Sequence, residues 1–304
     1  MKEYGIIISM QKNTITKILI VILTVLMVVG GTVIDALWLA PKRLNVRQET
    51  IQNEKIPETL NDMRICYLTD LDYGLFVDEQ RLTQIIEQIN ATGADIVIFG
   101  GDLYEDTITP NEKGNSILKE ALSSIEAPYG KFAVYGDHDT DTVENKAMID
   151  EIYASSGFEV ISDASLSLHK GTSASITLVG VNHGMKEAAD IQSAYANVSA
   201  NNFVMTVCHT PDSADLVPAD LTDYMLAGHS HGGQANLGFI ALDTPAMAVS
   251  YLAGKHVIRE SFTLDISSGI GTTIKNVRFM TGNEIVVYRF IHEEKEVEKT
   301  ETAE

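Results

Sequence analysis

The hydrophobic positions of this chain fall into three regimes. The first is an uncharged run from Ile18 to Ile34, extended by Ala36 to Ala40 and interrupted only at Asp35. A helix from Ile18 to Leu39 would rise about 33 Å, enough to cross the apolar part of a bilayer. Trp38, Lys42 and Arg43 suit its interface. The run is longer than the apolar core of a cleavable signal peptide, and no good Ala-x-Ala site accompanies it. The expectation is an uncleaved transmembrane anchor over residues 18–39, preceded by a short segment, residues 1–17. Lys2, Lys12 and Lys17 before the run balance Lys42, Arg43 and Arg47 after it, so charge leaves the orientation open.

In the second regime strand-like and helix-like patterns alternate. Ile65 to Thr69, Ile96 to Phe99 and Phe132 to Tyr135 read as short buried strands. Between and after them, Glu79 to Ala91, Asn115 to Ile125 and Thr142 to Ser155 read as helices. The first carries Leu82, Ile85, Ile86 and Ile89 at helical spacing. The third regime is mostly strand: Glu159 to Ile161, Ser175 to Val181, Val204 to Cys208, Tyr224 to Ala227, Val257 to Leu264 and Ile285 to Phe290, with one helix over Asp190 to Val198. Mixed elements with an all-strand finish predict an α/β fold, a two-sheet β-sandwich flanked by helices. One domain over residues 44–291 is expected, with residues 41–63 joining it to the anchor. Residues 292–304 hold six Glu and two Lys and read as an acidic, disordered tail.

Charge narrows the partners. With 42 acidic against 22 basic residues the net charge is -20, which argues against nucleic acid and leaves no polybasic patch for anionic lipids. Cys66 and Cys208 sit in apolar strands and read as small core residues, not a disulfide framework.

The chemistry gathers at strand ends, where ligands bind in α/β sheets. The ends read Thr69-Asp70-Leu71-Asp72, Gly100-Gly101-Asp102, Gly136-Asp137-His138-Asp139, Cys208-His209 and Gly228-His229-Ser230-His231-Gly232-Gly233. Carboxylates and imidazoles are ligands for hard or borderline divalent metals. Each end alone is an ordinary turn; together, in this order, they are hard to dismiss. In an extended segment His229 and His231 share a side, and their flanking glycines let backbone approach an ion.

This order of motifs resembles that of the calcineurin-like metallophosphoesterases, in particular their membrane-anchored bacterial branch. The similarity runs from about Leu44 to Phe290 and includes Ser268-Gly269-Ile270-Gly271-Thr272 and Arg278-Phe279. The resemblance implies two-metal hydrolysis of a phosphoester by a metal-held hydroxide. It assigns Asp70 and His231 to one metal, His209 and His229 to the other, and Asp102 to both. His138 would assist the leaving group, with Asp139 orienting it. It also favours a catalytic domain outside the cytoplasm. The anchor allows a lipid-linked substrate, by proximity alone.

Two positions depart from the family pattern. Asp72 stands where the family has His, and Asp137 where it has Asn. Both still offer ligand atoms, but four carboxylates now face two divalent ions. A unit charge at about 4 Å is worth roughly 4 kcal/mol at an effective dielectric near 20. The expected consequences are Mn²⁺ or Mg²⁺ preferred over Zn²⁺ or Fe, an alkaline-shifted optimum, and diesters preferred over dianionic monoesters. The alternative is a catalytically inactive metal-binding domain acting as a membrane-anchored sensor or scaffold. His183, His256 and Arg278 are weaker candidates for substrate contact, with loop surface or a structural ion pair as the plainer reading; Lys170 and Lys186 give no pattern.

Overall fold

The computed structural model describes residues 2–238 and 240–294, with side chains from Asn13 onward. Residues 295–304, most of the acidic tail expected above, lie outside the described residues.

The chain opens with α1 (Lys2–Ile34), which continues as a π-helical turn, Asp35–Leu39. The stretch Asn13–Lys42, running from α1 through the turns that follow it, is long and apolar enough to cross a membrane by length and composition, and its most apolar window is packed against nothing in the fold. Asp35, the one charge in the run, pairs with Arg43.

Two six-stranded sheets follow, face to face. The first contains β1 (Asn45–Asn53), β2 (Arg64–Leu68), β3 (Ile96–Phe99), β4 (Lys131–Ala133), β5 (Phe158–Val160) and β12 (Glu284–His292), in the order β1-β12-β2-β3-β4-β5. The second contains β6 (Ala164–His169), β7 (Ser175–Val181), β8 (Val204–Cys208), β9 (Tyr224–Ala227), β10 (Gly254–Ile258) and β11 (Phe262–Ile266), in the order β10-β11-β9-β8-β7-β6. β2 to β5 are mutually parallel, as are β7, β8, β9 and β11.

Alternation along each strand sorts its side chains to two faces. Ile65, Tyr67, Ile96 and Ile98 point between the sheets toward Leu178, Met205, Val207 and Leu226. Cys66, Leu68, Val97 and Phe99 point outward, under α2 (Glu79–Ala91), α3 (Glu112–Ser123) and α4 (Val143–Ser155). Both faces are covered, so these strands read as continuous apolar runs. The helices begin where a side chain satisfies a free amide: Asp78, Asn111 and Thr142 accept from Arg81, Gly114 and Asn145. The Asn111 cap starts α3 three residues before the expected Asn115. The helix expected over Asp190 to Val198 is the single turn α5 (Ile191–Ala194), capped by Asp190. Both cysteines are buried and unpaired.

Two expectations are corrected and one strand is added. Residues 41–63 are not only a connector: β1 lies among them as a polar edge strand parallel to β12, with Ile51 its single buried side chain. β6, another edge strand, carries too little apolar signal to be read from sequence. The run Val257 to Leu264 is no single strand. It breaks at Arg259 and Glu260, both in the left-handed region, into the hairpin β10–β11.

Candidate metal centre

Because β2, β3 and β4 are parallel neighbours in one sheet and β8 and β9 in the other, their carboxyl ends open on one edge of the sandwich. There they present Asp70 and Asp72, Asp102, Asp137 and His138, His209, and His229 and His231. The backbone turns sharply at most of these positions. Asp70, Asp72, Asp102, His229 and His231 all lie at φ between 49° and 66°, a region non-glycine residues rarely adopt. Backbone contacts close the gap between the sheets. The His229 amide donates to both Asp70 oxygens at 3.0 and 3.1 Å. A Cβ at Gly228 would stand 2.5 Å from Asp70 Oδ2, so only glycine fits that crossing.

The ligand atoms form two adjoining groups. In one, Asp102, Asp137, His209 and His229 place a ligand atom each within 4.8 Å of one another, all buried. His209 Nε2 lies 3.1 Å from Asp102 Oδ2 and 3.3 Å from Asp137 Oδ1, and His229 Nδ1 lies 3.1 Å from that same Oδ1. In the other, His231 Nε2 lies 3.6 Å from both Asp70 Oδ1 and Asp72 Oδ2. Asp70 Oδ1, 3.9 Å from His209 Nε2, joins the two. All seven metal-ligand residues expected from the sequence therefore meet at this edge, including Asp72 and Asp137.

The donor set fits cations. His209 Nδ1 is 2.8 Å from the Gly100 carbonyl, and His229 Nε2 is 2.8 Å from the Ala246 carbonyl. Each imidazole therefore uses one N–H on a carbonyl and turns the other nitrogen's lone pair inward. His209 Nε2, Asp137 Oδ1 and Asp72 Oδ2 are buried with no hydrogen-bond partner. At about 3 Å these facing atoms repel unless a proton or a metal ion lies between them.

Burial, with Asp70 and Asp102 nearby, pushes Asp72 well above the usual carboxylate range. Burial raises Asp102 and Asp137 too, but His209 outweighs it at both, with His229 at Asp137, and both are held low. Bound divalent ions would draw every carboxylate down.

His138 stands half-buried at the mouth, its Nε2 3.7 Å from Asp137 Oδ2. Asp139 does not orient it, contrary to expectation. The Asp139 carboxylate instead accepts from the amides of Asp102, Leu103 and Gly136 at 2.9–3.0 Å. The carboxylates beside His138 Nδ1 are Asp106 at 3.4 Å and Asp141 at 3.5 Å, neither singled out in the sequence. Burial works against an imidazolium there, but Asp102, Asp137 and Asp106 outweigh it and raise the His138 pKa.

Other residues take different places than expected. His183 is no loop-surface residue. It is buried, its Nε2 is 2.9 Å from Thr140 Oγ1, and its carbonyl accepts from Thr210, so it ties the His138 turn to the His209 loop. Lys186 donates to the Asp137 carbonyl at 2.8 Å and pairs with Asp141. Arg278 touches neither solvent nor a carboxylate; it donates to the carbonyls of His231, Ser268 and Gly271 at 2.7, 2.8 and 2.5 Å. The late Ser268–Thr272 motif wraps behind the first ligands, with the Ile270 and Gly271 amides on the Asp70 carbonyl. His256 lies away from the centre, against Tyr251.

The family model for calcineurin-like phosphoesterases matches residues 63–233, more than half the chain, and spans all seven candidate ligands and His138. An uncharacterized metallophosphoesterase of Bacillus subtilis, YkuE, is 25% identical over 85% of this chain and 90% of its own length. The Escherichia coli phosphodiesterase YaeI is 27% identical over 65% of this chain and 71% of its own. A Chlamydia muridarum UDP-2,3-diacylglucosamine pyrophosphatase, LpxG, is 22% identical over 88% of this chain and 96% of its own.

Proposed function

The chain belongs to the calcineurin-like phosphoesterase family and is a metal-dependent hydrolase, and from that premise we propose that it cleaves a phosphodiester at a two-cation centre with His138 as proton donor. Two divalent ions held by Asp70, Asp72 and His231 on one side and Asp137, His209 and His229 on the other, with Asp102 between, would supply an activated water and polarise the phosphoryl oxygens.

The protein's own groups do the rest. Asp139 fixes the backbone that carries Asp102. The carbonyls of Gly100 and Ala246 hold His209 and His229 in the tautomers that ligate. Asp106 and Asp141 flank His138 Nδ1 and favour the protonated ring, which can then give its proton to the leaving oxygen. The four carboxylates leave the centre less positive than two carboxylates would, which favours a singly charged diester over a dianionic monoester. The E. coli relative is named a phosphodiesterase, which agrees with that preference.

We further infer that α1 anchors the chain in a membrane with the domain on the extracytoplasmic side, and that the substrate is lipid-linked. The length and apolarity of Asn13–Lys42 support the anchor, and the diacylated sugar nucleotide in the name of the Chlamydia relative supports such a substrate.

The observation that carries the reading is the convergence of His209 Nε2 and His229 Nδ1 on Asp137 Oδ1 at 3.3 and 3.1 Å. The test is kcat/KM of the purified full chain on a matched aryl diester and monoester, with Mn²⁺, Mg²⁺ or Zn²⁺. Faster diester cleavage that His138→Ala lowers by roughly 10²–10⁴-fold is expected. Monoester preference would overturn the substrate assignment, and a rate unchanged in His138→Ala would overturn the mechanism.

A further inference from the structure

The last turn of the N-terminal helix is bonded to loops that lie directly behind the metal centre. The Arg278 amide donates to the Ala36 carbonyl at 3.0 Å, and Asn283 Nδ2 donates to the Pro41 carbonyl at 2.6 Å. Ala36 belongs to the apolar run and lies about 7 Å up the helix from Pro41. The segment around Arg278 therefore stands level with the end of the span. A second loop is bonded to that segment: Phe279 donates to Gln234, and Asn236 donates to Phe279, each at 3.0 Å. That loop closes on itself through the Leu237 amide and the Ile240 carbonyl at 2.8 Å.

Among their described residues these two loops leave five large apolar side chains in solvent: Leu237, Ile240, Leu242, Ile274 and Met280, between 47% and 73% exposed. Single exposed apolar residues are ordinary; five on two joined loops mark an interaction surface. Its position selects the partner, because the helix it is bonded to is, among the described residues, the one element suited to a bilayer. Lys42 and Lys275, exposed on the same segments, can meet headgroup phosphates.

Resting on the reading of α1 as a membrane anchor, we propose that this apolar ridge seats in the interfacial layer of the same bilayer. It forms a second contact that fixes the domain against the membrane. The tie to the centre is short. Gln234 is three residues past His231, and Arg278 holds the His231 carbonyl at 2.7 Å. A domain held by a single helix could tumble about its foot; held by the ridge as well, it keeps the metal edge beside the lipid surface.

The test uses the full chain in phosphatidylcholine vesicles containing lipid brominated near the top of the acyl chains. Trp38, the sole tryptophan, is a native marker for the anchor. Ile240→Cys and Met280→Cys carry a fluorophore on the ridge; native Cys66 and Cys208 are buried and spared. Ser173→Cys, on the turn before β7 and so at the opposite end of that strand from the centre, is the reference. Emission at 240 and 280 is expected to fall about twofold with brominated lipid, as at Trp38, with none at 173. Quenching at Trp38 but not at 240 or 280 would overturn the ridge while leaving the anchor standing. No quenching at Trp38 would remove the anchor and the ridge together.

Discussion

The Asp139 carboxylate holds the backbone amide of Asp102 at 3.0 Å, across 37 residues of sequence, and turns away from the histidine beside it. It also takes the amides of Leu103 and Gly136. Its place is to support the backbone under Asp102, a proposed metal ligand, whereas His138 next door faces the mouth.

These two neighbours should therefore separate on mutation. Asp139→Ala orphans three buried amides at about 1–3 kcal/mol each, so it should lower the denaturation midpoint sharply and reduce bound metal. His138→Ala should leave that midpoint near wild type and reduce turnover by roughly 10²–10⁴-fold. Equal stability of the two variants would refute the division of labour.

Asp137 faces both His209 and His229, so Asp137→Ala should cut bound metal, measured by elemental analysis, from two ions per chain toward one. Rates should be higher with Mn²⁺ or Mg²⁺ than with Zn²⁺, since Asp72 puts oxygen where the family has a histidine nitrogen. A maximum with zinc would count against that ligand set.

Gly136→Ala changes no ligand, yet its Cβ would lie 2.6 Å from the Asp102 carboxyl carbon. Metal affinity should fall as the carboxylate is displaced, which titration calorimetry can read. Unaltered affinity would mean that the Asp102 turn yields easily.

His231 sits at φ 49°, where a side chain costs roughly 1–2 kcal/mol that glycine avoids. In chelator-treated protein, His231→Gly should be more stable than His231→Ala by about 1 kcal/mol in denaturant titration. The opposite order would show that the loop relaxes once the imidazole is gone.

Burial, helped by the neighbouring His209, depresses the His183 pKa from 6.5 to about 4. The unfolded chain then binds the extra proton first as pH falls, so the contribution of His183 is full above pH 6.5 and is lost between there and about 4. His183→Gln should flatten the dependence of unfolding free energy on pH in that window by something on the order of 3 kcal/mol. A variant with the wild-type slope would place the proton uptake elsewhere.

Much was legible from the sequence because it depends on local pattern. The strands Ile96–Phe99, Ser175–Val181, Val204–Cys208 and Tyr224–Ala227 and the helix Glu79–Ala91 have the bounds that their apolar runs and spacing predict. Buried parallel strands and an amphipathic helix write their environment into consecutive residues. The convergence of the proposed ligands was legible for a related reason: polar residues directly after buried strands stand out, and parallel strands bring their ends together. What stayed hidden rests on contacts between distant residues. β1 is polar and becomes a strand only because β12, more than 200 residues later, offers it an edge. The direction of the Asp139 carboxylate, the three carbonyls around Arg278 and the burial of His183 were likewise set by chain segments far off in sequence. Residue type and spacing state what a side chain can bind; only packing decides which partner is within reach, since a hydrogen bond is made or lost within an ångström.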